Sequence, residues 1–153
     1  MNWKSETVKD LREFRALENF INEYPSHMEE LDTQLKHLRS AKVDAVPTAG
    51  GGCRTDDAWL NIIAKKERLA WNYGNRLAKY RRIKKALALL NSEEMFVLHE
   101  FFIERPGAGY RAKDKGHVDK CMSRLCCGQS EVYRRKEDAL RTLAIALYGQ
   151  TED

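Results

Sequence analysis

The chain has 153 residues, 42% of them hydrophobic and 33% charged, a balance that fits amphipathic helices and excludes a disordered polar chain. No apolar run reaches the roughly 20 residues of a membrane helix, and the opening MNWKSETVKD lacks an apolar signal core, so a cytoplasmic location is expected. The net charge of +4 conceals a local surplus: residues 105–136 carry nine basic side chains against three acidic ones, the kind of concentration that attracts phosphates.

Read in chain order, Ser5 can cap a first helix to about Tyr24, with Val8, Leu11, Phe14, Leu17 and Ile21 on one side and Pro25 ending it. Ser26 to Glu29 fits a capping box for a second helix, whose Met28, Leu31, Leu35 and Leu38 form a coiled-coil seam that fades near Lys42. Residues 44–55 are Gly-rich with one Pro and read as a flexible loop. Asp56 or Asp57 then opens a long third helix reaching Leu90. Its seam holds Trp59, Ile62, Lys66, Leu69, Tyr73, Arg76, Tyr80, Ile83, Leu87 and Leu90, and its opposite face holds Lys65, Arg68, Lys79, Arg81, Arg82 and Lys85 as solvated charge. The seam needs cover, from the first two helices folding back or from a second chain; a homodimer built through helical seams is expected.

Asn91 or Ser92 caps a fourth helix, SEEMFVLHEFFIER, with a thick apolar face of Met95, Val97, Leu98, Phe101 and Phe102. A basic loop from Arg105 to His117 follows and includes Arg111, Lys113 and Lys115, residue types suited to phosphate contact. Val118, Cys121, Met122 and Leu125 then recur at helical spacing until Gly128 breaks the run. Ser130 is a good N-cap for a last helix with Val132, Ala139, Leu140, Leu143 and Leu147 along one stripe. Two short amphipathic helices joined by a Gly-containing turn make a helix-turn-helix, whose second helix can lie in a DNA major groove. Its opening turns carry Gln129, Ser130, Tyr133, Arg134, Arg135 and Lys136, which makes these six the candidate DNA-binding residues, with Arg111, Lys113 and Lys115 as phosphate contacts.

The four cysteines are Cys53, Cys121, Cys126 and Cys127. Together with His117 they match no usual zinc spacing, so small thiols filling the helix-turn-helix core are expected and neither metal nor cofactor is assigned. No Walker loop, GxSxG or HExxH is present, and an enzyme is not expected.

From SEEMFVLHEFF through QSEVYRRKEDALRTLAIALYG the chain resembles the sigma-factor region that reads the promoter −35 element. It is similar to phage and prophage late transcription regulators of the RinA and ArpU type. In that pattern a small apolar residue opens the recognition helix and an Ala-Leu pair closes it, places held here by Val132 and Ala139-Leu140. Sigma-type contacts would then fall on Gln129, Ser130, Tyr133 and Arg134, while Arg135 stands where the pattern has an apolar core residue. The expectation is an all-α protein with an N-terminal antiparallel helical coiled-coil region over residues 1–90 and a sigma-like helix-turn-helix head over residues 91–153. Its expected role is sequence-specific binding of double-stranded DNA in phage transcription control, with host RNA polymerase left open as a further partner. A phage DNA-packaging subunit of small-terminase type and a coiled-coil scaffold that binds no DNA are the alternatives.

Overall fold

A computed structural model describes residues 2–44, 54–104 and 115–149 of the chain. Among the described residues the fold is all-α: helix α1 spans Trp3–Asp44, α2 Arg54–Leu87, α3 Ser92–Leu98, α4 Lys115–Leu125 and α5 Gln129–Tyr148, with a π-helical segment over His99–Ile103. None of these helices is long and apolar enough to cross a membrane. The residues fall into two compact units, one formed by Met1–Leu17 with Lys79–Asp153, the other by Glu18–Ala78. Both unit boundaries therefore lie inside helices, α1 and α2.

Helix α1 corrects the sequence reading. It runs without interruption through Pro25, so the two expected N-terminal helices are one, and the capping box expected at Ser26 and Glu29 does not form. An internal proline lacks its N–H and crowds the preceding turn, at a cost of about 3 kcal/mol. Contacts with α2 on either side of Pro25 offset it. Before Pro25, the Arg76 guanidinium sits 4.6 Å over the Phe20 ring and Tyr24 stacks on Tyr73 at 3.8 Å; beyond it, Asp32 pairs with Lys66. Residue numbers rise on α1 as they fall on α2, so this unit is an antiparallel helix pair. The start of α1 is also capped one turn earlier than expected, with the Ser5 amide donating to the Asn2 side chain at 3.0 Å.

The α2 seam, for which either the first helices or a second chain was expected as cover, meets α1 at two rings: Tyr73 stacks on Tyr24, and Tyr80 lies 5.2 Å from Phe14. Ile62, Tyr80, Ile83 and Leu87 of that seam are buried. Lys79, expected on the solvated face, instead donates to Asp10 at 3.0 Å and Glu13 at 2.6 Å. Burial opposes its charge, but the two carboxylates outweigh it and raise its pKa.

Asp10 is the polar centre of the first unit. Its carboxylate, 4% exposed, accepts from the Tyr148 hydroxyl at 2.6 Å and pairs with Lys79 and with Arg82 at 3.5 Å, joining α1, α2 and the last turn of α5. Burial first, and then the hydrogen bond to Asp10, raise the Tyr148 hydroxyl above its ordinary pKa, so it stays a donor. Removing one member of a buried charge network strands the others. Asp10→Ala is expected to lower unfolding free energy by about 2–4 kcal/mol, read from the urea midpoint; an unchanged midpoint would show that Asp10 does not organise the unit.

Candidate nucleic-acid interface

The C-terminal helices of the first unit close on one apolar cluster. Val97, Phe101, Val118, Cys121 and Val132 are all buried, and Phe96, Phe102, Met122, Leu125, Cys127 and Tyr133 pack against them. Asn91 and Glu94 start α3 with a reciprocal capping box, at 2.8 and 3.0 Å. The helix expected to continue smoothly to Arg105 changes instead to π-helical geometry at His99. The wider turn leaves Glu100, Phe101 and Ile103 all buried. Glu100, 4% exposed, accepts from Lys120 at 2.9 Å and faces His117 Nδ1 at 3.2 Å, tying this segment to α4. Burial pushes its pKa up, but the bonds from Lys120 and His117 prevail and hold it below the ordinary carboxylate value.

Helix α4 ends in a left-handed residue, Cys126 at φ 51°, and the Cys127 amide bonds back to the Met122 carbonyl at 3.4 Å. That pattern is a Schellman closure, with Cys126 in the position usually given to glycine. The cysteines thus divide: Cys121 fills the core as expected, Cys127 is half-buried, and Cys126 is exposed, contrary to the expectation that all would pack inside. Burial first, and the nearby Glu100 carboxylate second, push the Cys121 thiol up to about 11, so it packs as a neutral thiol.

Helix α5 begins two residues before the expected start. Its N-cap is Gly128, with no side-chain capping bond, and Ser130 lies inside the first turn instead of capping it. The amides of this turn therefore face outward at the positive end of a 20-residue helix. Val132, fully buried, fixes the roll of α5, with Ala139, Leu140, Leu143 and Ala144 buried along the same stripe.

The six expected reading residues separate by environment. Gln129 and Ser130 are exposed and make no side-chain bond among the described residues. Arg134 is exposed at 69% and held by Glu131 through Nε at 2.9 Å and Nη2 at 2.7 Å. Tyr133 is half-buried against the core cluster, 6.4 Å from Phe101. Arg135 is directed to Glu131 at 3.0 Å and to Glu93 of α3, so its guanidinium serves the fold where an apolar residue would otherwise sit. The Lys136 ammonium lies over the Phe101 and Tyr133 rings, at 4.9 and 5.0 Å. Arg111 and Lys113 lie outside the described residues, and Lys115 enters only as the first residue of α4. Two exposed cations that sequence reasoning missed, Lys120 and Arg124, stand one turn apart on α4; their i, i+4 spacing was the available signal.

Comparison of the chain with protein-family models, with curated proteins and with solved structures gives no match.

Hydrogen bonds from Arg134 first, and from Arg135 second, hold the Glu131 carboxyl down to about 2 from its ordinary 4.5. Because the folded value is the lower one, this arrangement stabilises the head fully above pH 4.5 and loses its effect as pH falls toward 2. Carbon NMR of the Glu131 side chain is expected to give a titration midpoint near 2; a midpoint near 4.5 would mean the two arginines do not hold it in solution.

Proposed function

We propose that the chain binds double-stranded DNA through α4, the turn at residues 126–128 and α5 acting as a helix-turn-helix, in the manner of the phage late transcription regulators that its C-terminal third resembles. One observation carries the reading. The burial of Val132 turns Ser130 and Arg134 outward, and Gln129 is exposed as the first residue of α5, so the three stand at its uncapped start. A helix start with free amides suits a backbone phosphate. The Gln129 and Arg134 side chains beside it carry the amide and guanidinium groups that distinguish bases in the major groove.

Within this reading Arg134 is the principal reading group, with Gln129 and Ser130 beside it. Lys120 and Arg124 supply charge toward phosphates, and Arg135 and Lys136 support the helix from behind. A homodimer presenting two heads to half-sites about one DNA turn apart belongs to the same proposal. No catalytic step is assigned.

The test uses a duplex selected by the full chain from a random-sequence pool. Affinity for it should fall steeply with added salt, because phosphate contacts release counterions. Arg134→Ala should cost about 1–3 kcal/mol on the selected duplex and much less on a scrambled one. A folded chain that selects no duplex at low salt would overturn the reading.

A further inference from the structure

Arg134 does not stand alone on the face of α5. Glu93 of α3 pairs with Arg135 Nη1, Arg135 Nε donates to Glu131 Oε1 at 3.0 Å, and Glu131 in turn receives Arg134 Nη2 at 2.7 Å and Nε at 2.9 Å. The four charges alternate in sign and run from the supporting helix to the exposed arginine. We infer that Glu93, Arg135 and Glu131 are positioning residues that hold Arg134 ready to read a guanine edge, a step that rests on the DNA-binding reading above.

The donor inventory favours this role. A guanidinium has five N–H groups in a rigid fork. Glu131 takes the Nε hydrogen and one from Nη2. That leaves Nη1 and the second Nη2 hydrogen, an adjacent pair of donors matched to guanine N7 and O6. Without the carboxylate, a side chain 69% exposed samples many rotamers and loses that freedom on binding. Arg135 is only 30% exposed, so its own geometry is steadied by packing, and Glu93 fixes its far end. The chain of pairs thus transmits the rigidity of the α3–α5 packing to a group at the surface.

A clamp that merely joined α3 to α5 would change stability but not base preference, so the decisive readout is discrimination between the selected and scrambled duplexes. Glu93→Gln and Arg135→Gln alter net charge in opposite directions. A general electrostatic effect would move overall affinity oppositely in the two variants and leave discrimination alone. Both are instead expected to lower discrimination about threefold to tenfold, the scale of freezing one flexible side chain. The loss should be confined to one G·C position and should vanish when Arg134 is already Ala, as coupled sites require. Far-UV circular dichroism of each full-length variant reports folding, and Glu93, 58% exposed, is the milder substitution if Arg135→Gln unfolds.

Unchanged discrimination in Glu93→Gln, or an equal loss with and without Arg134, would overturn the inference while leaving DNA binding intact. A wild-type chain that binds all duplexes equally would overturn the DNA reading and the inference with it.

Discussion

The fully buried Val132 side chain sets the rest of the C-terminal arrangement. It packs with Val97 and Phe101 from the preceding helical segment and with Val118 and Cys121 from α4, so three elements share one apolar contact set. In a helix, placing one side chain inward determines the direction of every other. With Val132 inside, Ser130 and Arg134, two residues to either side, lie toward solvent, Tyr133 and Lys136 flank the core, and Arg135 meets α3, while Gln129 is exposed as the first residue of the helix. The candidate interface is therefore a consequence of packing, and it needs no special local sequence beyond an apolar residue at this one place.

Charged groups then perform two distinct tasks. Asp10 and Glu100 are almost fully buried, and each carries more than one bond, Asp10 from α2 and α5 and Glu100 from two residues of α4, which is the condition under which an internal carboxylate is tolerated. Glu131 works at the surface, where two arginines keep it ionised well below the ordinary range. Much of the positive charge counted around residues 105–136 is thus already engaged within the protein. Lys136 rests on aromatic rings and Arg135 bridges two carboxylates. A basic count in the sequence overstates the charge available to a partner, because it cannot distinguish a cation facing outward from one spent on the fold.

Periodicity made much of the fold legible. The all-α class, the long third helix, the stripe through Val132, Leu140 and Leu143, and the start of α3 at Asn91 follow from spacing and capping residues. What escaped was decided by contacts distant in sequence. Pro25 is a strong local stop, and only the pairs that α2 makes on both sides of it keep α1 continuous. Ser130 is a good cap by type, yet the chain enters α5 two residues earlier, directly after Cys126 takes the left-handed position that closes α4. Lys79 looks solvated beside Arg81 and Arg82, and nothing near it in sequence indicates Asp10. At the candidate site, the exposure of Ser130 and Arg134 was readable from helical phase against Val132. The diversion of Arg135 to Glu93, across 42 residues, was not.

The central claim is that the start of α5 meets DNA, and residue-resolved NMR of the full chain titrated with its selected duplex tests it most directly. The account predicts that amide shifts concentrate at Gln129, Ser130, Glu131 and Arg134, with smaller changes at Lys120 and Arg124, and that residues 18–78 stay still. Shifts centred on Lys65 and Arg68 of α2, with α5 unmoved, would contradict it.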